Sequence, residues 1–160
     1  MQIQAGDQVP AGEFGVMTPD GPGSVSADEI FGGNKVVLFS LPGAFTPTCS
    51  QAHLPGFVAH ADAIRAKGVD TIACLSVNDT WVMNAWGKDQ SVGDSVMMLA
   101  DGNASYTEAL GLAVDLSAGG MGKRGQRFVM IVDDGTVTHL AVEAPRQFDV
   151  SSAEAVLKAL

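Results

Sequence analysis

One cysteine, Cys49, closes the segment Leu41-Pro42-Gly43-Ala44-Phe45-Thr46-Pro47-Thr48-Cys49, and its position makes it a candidate nucleophile. The apolar run Val36-Val37-Leu38-Phe39 ahead of it reads as a buried strand, and the amphipathic pattern after it reads as a helix. The thiol therefore falls in the first turn of a helix, at the end of a strand. There the unpaired backbone N–H groups and the positive end of the helix dipole favour an anion. A free thiol is only a few per cent thiolate near neutral pH, and the thiolate is the reactive form. A lone cysteine elsewhere is most simply a small buried hydrophobe. At this position the chemistry expected is that of a thiol enzyme built on Cys49.

The neighbours extend the site. Thr46 lies three residues before Cys49, a spacing that brings side chains together on a helical turn. Its hydroxyl can donate to the sulfur or to a substrate oxygen and accept at the same time, or it can cap the helix. Pro42 sets the turn leaving the strand and can wall the sulfur from water; Pro47 suits a helix start, where no hydrogen bond is lost. Of the four arginines, Arg65 lies late in the helix, Arg124 in a glycine-rich loop and Arg146 after Pro145, all read as surface charges. Arg127 stands before Phe128-Val129-Met130-Ile131 and by itself reads as a strand-end surface charge. His53, one turn beyond Cys49 on the same face, either biases the thiolate or shapes the rim of the pocket, or is a half-exposed surface histidine. It has no metal partner in view, since His60 and His139 lack ligand spacing. Cys74, inside Thr71-Ile72-Ala73-Cys74-Leu75-Ser76-Val77, reads as an inert core thiol.

These residues need a scaffold. The opening is rich in Gly and Pro, with a hairpin turning at Pro19-Asp20-Gly21. Ser26-Ala27-Asp28-Glu29 has capping-box spacing and starts a short helix. Lys35–Ser40 is the first core strand. Leu54, Phe57, Val58, Ala61 and Ile64 give the segment Cys49–Lys67 helical spacing, closed by Gly68. Thr71–Val77 is a second strand. Asn78 or Asp79 caps a helix to about Asp89 with Trp81, Val82, Ala85 and Trp86 on its apolar side. Val96–Ala100 is a third strand, Ala104–Leu110 a short helix ended by Gly111, and 118–122 a loop. Arg127–Val132 and Thr136–Val142 are joined at Asp133-Asp134-Gly135, a strong hairpin signal. Ser151-Ser152-Ala153-Glu154 offers a cap for a terminal helix to Leu160. The expected class is α/β: a thioredoxin-like, mixed central sheet with helices on both faces.

Composition narrows the class of protein. With 160 residues, 46% apolar and 17% charged, the chain should form a single globular domain over residues 1–160. A net charge of −9 with scattered cations argues against a nucleic-acid partner. Two cysteines make no disulfide framework, and no run approaches the ~20 apolar residues of a membrane helix. The first residues lack a basic region and an apolar stretch, so no signal peptide is expected and a cytoplasmic location is the default.

Pro42, then Thr46, then Cys49 form the pattern Pro-x-x-x-Thr-x-x-Cys, which resembles the active-site motif of peroxiredoxins. His53-Leu54-Pro55-Gly56-Phe57, Ala73-Cys74-Leu75-Ser76-Val77-Asn78-Asp79 and Arg127-Phe128 resemble the type II, or fifth, subfamily. The resemblance implies reduction of hydrogen peroxide and organic hydroperoxides by the Cys49 thiolate, without metal, flavin or other cofactor. It implies Thr46, Arg127 and the Cys49 N–H as donors around the reacting oxygens, with Pro42 as shield. Some members carry a resolving cysteine near the C-terminus, but Glu143–Ser151 contains none. This implies a one-cysteine cycle recycled by glutathione, glutaredoxin or thioredoxin. Family habit implies a homodimer formed near the active-site face. Two other readings stand beside it. A thiol–disulfide oxidoreductase would need Cys-x-x-Cys, where Thr46 takes the first place. A redox sensor would keep the reactive cysteine without turnover.

Overall fold

The computed structural model describes all 160 residues. Strand β3 (Lys35–Ser40) is buried along almost its whole length and is an interior strand of a seven-stranded sheet. Around it run β4 (Thr71–Ser76), β5 (Met97–Ala100), β8 (Phe128–Asp133) and β9 (Thr136–Val142), with the hairpin β1 (Glu13–Thr18) and β2 (Gly21–Ser26) at the far edge. The order is β2-β1-β5-β4-β3-β8-β9. β3, β4 and β5 are parallel; β8 and β9 add antiparallel on one side and β1 on the other. The mixed sheet expected from the sequence is present.

Side chains of β3 alternate between two cores, as a doubly covered strand requires. Val37 and Phe39 join Leu54, Phe57, Ile64, Trp86 and Val156 on one face, beneath α2 (Leu54–Ala59), α3 (Ala61–Ala66), α4 (Thr80–Asp89) and α6 (Ala153–Ala159). Val36 and Leu38 join Phe31, Tyr106 and Leu110 on the other, beneath α1 (Ala27–Phe31) and α5 (Ser105–Ala109). Cys49 and Cys74 both belong to the first core.

Local rules account for most boundaries. The Ser26 and Asp79 side chains accept from the N–H groups of Glu29 and Val82, as their cap positions demand. Asp134 and Gly135 both take positive φ, 47° and 80°, which is the turn geometry that matches strand twist in the β8–β9 hairpin.

Four expectations are corrected. The helix over Cys49–Lys67 is three pieces: a π-helical turn Cys49–His53, then α2, then α3 after a break at His60. Trp81 and Ala85 are exposed, while Trp86 is buried as expected, together with Met83 and Gly87. The terminal helix is capped by Ser152 rather than Ser151; the Ser151 hydroxyl is used elsewhere. The glycine loop is framed by a small sheet of β6 (Ala113–Asp115) and β7 (Lys123–Gly125), strands too short to carry a period.

Phe39 is the contact between strand and site. Its ring stacks on Phe57 at 4.0 Å and 5°, and lies 5.0 Å from the His53 ring. Phe39→Ala is expected to destabilise the fold by about 3–5 kcal/mol, read as a lower urea midpoint with little change in m.

Candidate active site

Pro55 sets the local geometry around Cys49. It has no N–H, and its ring crowds the carbonyl four residues earlier, so a regular α-turn is disfavoured there. The chain widens into the π-turn Cys49–His53, in which the Leu54 N–H reaches back five residues to the Cys49 carbonyl. Helical structure begins at Pro47, so Cys49 does lie in the first turn, as its sequence position required.

Arg127 arrives from the strand next door. Ser40, the last residue of β3, pairs with Phe128, the first of β8, so the residue before β8 stands beside the segment leaving β3. Its Nη2 donates to Cys49 Sγ at 3.2 Å. Its Nη1 lies 2.8 Å from His53 Nδ1, and its Cζ lies 5.8 Å from the centroid of the Phe148 ring. Arg127 is thus half-buried in the site and is no strand-end surface charge.

His53 is fully buried, neither on a rim nor half-exposed. A guanidinium can only donate, so Nδ1 is the acceptor and the proton is on Nε2, which donates to the Ser151 carbonyl at 3.0 Å. Burial, then the charge of Arg127, push the imidazole pKa from 6.5 down to about 3. The ring is therefore neutral at physiological pH. Ser151 is held in turn by Glu143, whose Oε2 accepts from the Ser151 N–H at 2.8 Å, the Ser151 hydroxyl at 2.7 Å and the Asp149 N–H at 2.7 Å. Burial opposes the Glu143 charge, but those bonds outweigh it and hold its carboxyl below the usual range.

Thr46 behaves differently from expectation. Its hydroxyl donates to the Gly43 carbonyl at 2.7 Å and makes no hydrogen bond to the sulfur or to the helix N-terminus. The proton closes the 43–46 turn. Arg124 is also not a plain surface charge. Its Nε donates to the Met121 carbonyl at 3.0 Å and its Nη1 to the Pro42 carbonyl at 3.3 Å, tying the glycine loop to the proline turn. The sequence gives no sign of this, because the two segments lie 82 residues apart.

Cys49 has no exposed surface. Pro42, Thr48 and Arg127 line a cleft of about 510 Å³, whose other wall is Val114, Leu116 and the 143–148 segment. A larger groove of about 750 Å³ beside α4 contains none of the site residues. Cys74 is buried at the floor of the same core; burial, then the nearby Cys49, raise its thiol pKa well above the ordinary value. Both cysteines are free, and no cluster of His, Cys, Asp or Glu is arranged to hold a metal ion.

The redoxin family model matches residues 4–157. The chain belongs to the redoxin family. Within it the relatives are type II peroxiredoxins. Peroxiredoxin-2C of Arabidopsis thaliana is 47% identical over 99% of this chain and 98% of its own length. The crystal structure of reduced Prx3 from Vibrio vulnificus in complex with hydrogen peroxide superposes with TM-score 0.95, at 52% identity and 99% coverage of both chains. A Plasmodium falciparum 1-Cys peroxiredoxin matches with TM-score 0.91 at 30% identity, covering 98% of each chain. The protein is a peroxiredoxin of thioredoxin-like fold, a thiol peroxidase with an antioxidant activity.

The buried neutral histidine has a stability signature. Its folded pKa of about 3 lies below the ordinary 6.5, so the unfolded chain takes up the proton first. The stabilisation is complete above about pH 6.5 and is lost as pH falls toward 3. Between pH 6 and 5, above the range where Glu143 protonates, the unfolding free energy of the peroxiredoxin should fall by about 1 kcal/mol per pH unit. His53→Asn should show a slope shallower by that amount in urea titrations.

Proposed function

We propose that Cys49 is the peroxidatic residue and that Arg127 is the cation that faces its sulfur and receives the peroxide. The Arg127 Nη2–Cys49 Sγ contact of 3.2 Å at the head of the helix carries this reading. The thiolate attacks one oxygen of a hydroperoxide in line with the O–O bond. An S–O bond forms, the O–O bond breaks, and the departing oxygen leaves as alkoxide or hydroxide, to be protonated to alcohol or water. Charge grows on that oxygen, and preorganised donors lower the barrier. The donors at hand are the guanidinium, the Cys49 N–H and the Thr46 hydroxyl, which must turn from Gly43 to serve. Pro42 walls the sulfur. Because Cys49 has no exposed surface, a peroxide enters by parting Arg127 from the cleft wall, which favours small oxidants.

Hydrogen peroxide and organic hydroperoxides are the proposed substrates; the Vibrio vulnificus relative was crystallised with the former. Cys74 is held in the core, and no cysteine lies in the 143–151 segment, so the sulfenic acid is resolved from outside. An external thiol condenses with it to a mixed disulfide and water, and a second thiol releases Cys49. Glutathione with or without glutaredoxin, or thioredoxin, supplies these thiols in a reducing compartment such as the cytoplasm. Two exposed aromatic residues, Phe45 (53% exposed) and Trp81 (64%), flank the site. Their segments are joined by the Ala44 N–H donating to Asn78 Oδ1 at 3.0 Å, and this pair of exposed aromatics supports the proposal of this face for a homodimer.

Cys49→Ser is expected to abolish peroxide consumption with any of the three reductants, while Cys74→Ser keeps most of it. Equal losses would defeat the one-cysteine cycle. Arg127→Ala should slow both peroxide reduction and iodoacetamide alkylation of Cys49 at neutral pH by about tenfold to a hundredfold. For assembly, Phe45→Asp should convert a dimer to a monomer in sedimentation velocity, and an unchanged sedimentation coefficient would move the interface elsewhere.

A further inference from the structure

His53, a buried titratable group in contact with the site, has no step in the proposed peroxide chemistry. His53 is enclosed by aromatic rings, with centroids 5.0 Å away at Phe39, 5.7 Å at Phe57 and 5.0 Å at Phe148. Both of its nitrogens are used, one on each side of the ring. Arg127 makes no ion pair: the only two in the structure are His60–Glu154 and Lys123–Glu108. A carboxylate beside the guanidinium would fix its orientation but would also offset its charge. A neutral imidazole fixes the orientation and leaves the full positive charge to the sulfur. The arrangement continues outward, since the carbonyl that takes the Nε2 proton belongs to Ser151, and Glu143 clamps Ser151 by two bonds. The Glu143 N–H in turn donates to the Arg127 carbonyl at 2.9 Å, which closes a ring of contacts around the site.

We propose that His53 is the positioning residue of this site: its Nδ1 lone pair sets the rotation of the Arg127 guanidinium so that Nη2 faces Cys49, and its Nε2–H links that orientation to the 143–151 segment. The inference rests on the reading of Arg127 given above. A histidine that merely fills the core would need the ring volume and both hydrogen bonds, but the reactivity of the sulfur would not depend on which bond survives.

Amide side chains separate the two bonds. In His53→Asn the amide oxygen falls near the place of Nδ1 and can accept from Arg127. In His53→Gln the amide nitrogen falls near the place of Nε2 and can donate to Ser151, with no acceptor left for Arg127. His53→Leu has neither. The measurement is single-turnover oxidation of the reduced protein by hydrogen peroxide, with alkylation by iodoacetamide at neutral pH in parallel. His53→Asn is expected within about threefold of the parent, and His53→Gln and His53→Leu slower by about tenfold or more in both rates. Any other order, Gln equal to or faster than Asn included, overturns the proposal. Arg127→Ala is run alongside. If it leaves both rates unchanged, the role of Arg127 fails first, and the two failures are told apart. A second measurement avoids substitution at the ring altogether. Glu143→Ala should slow oxidation in the parent and have no added effect in the His53→Leu background, a coupling read from a double-mutant cycle. Additive losses would overturn the link to the 143–151 segment.

Discussion

The guanidinium of Arg127 is the joint on which this structure turns. It is the one full charge brought to the buried sulfur, and it is held by directed contacts on two sides: Cys49 Sγ at 3.2 Å and His53 Nδ1 at 2.8 Å. A cation taken partly out of water is stable only if its donors find acceptors. Here one acceptor is the sulfur proposed to react, so the same requirement that stabilises the fold also fixes the cation beside it.

The sheet makes that contact possible. Cys49 and Arg127 lie 78 residues apart, yet the antiparallel pairing of β3 with β8 places their segments at one end of the sheet. The burial of β3 on both faces fixes its register, because a slip of one residue would exchange its two sets of side chains between the two cores. The reactive end therefore inherits its precision from a strand with no chemistry of its own. The stack of Phe39 on Phe57 carries this precision to the helix, and the His53 ring lies against both.

Much of this was legible in the residues. The strand before Pro42, the helix start at Pro47, the caps at Ser26 and Asp79 and the Asp134-Gly135 turn all follow from local rules and appear where expected. Cys49 was singled out by its position and Arg127 by a resemblance, and the two side chains meet at 3.2 Å; neighbouring residues in sequence could not have chosen Arg127 over Arg124. What failed to show depended on distant segments. The burial of His53 is the work of Ser151 and Phe148, from a loop almost a hundred residues later. The exposure of Trp81 reflects how α4 is rolled against the sheet, which an apolar period alone leaves undetermined. The Thr46 proton is claimed by Gly43, a competition inside a tight turn that spacing cannot weigh.

The π-turn at Cys49–His53 holds one more residue per turn than the helix that follows it. Each residue in an α-helix advances the chain by about 100° around the axis. A regular spiral through the same stretch would thus present the thiol to a different quadrant, away from the arginine, even with every side chain of the site unaltered. Reactivity here is a matter of phase as much as of identity. A one-residue deletion between Pro47 and Pro55 would shift Cys49 relative to Arg127 and His53 while leaving all three present in the chain.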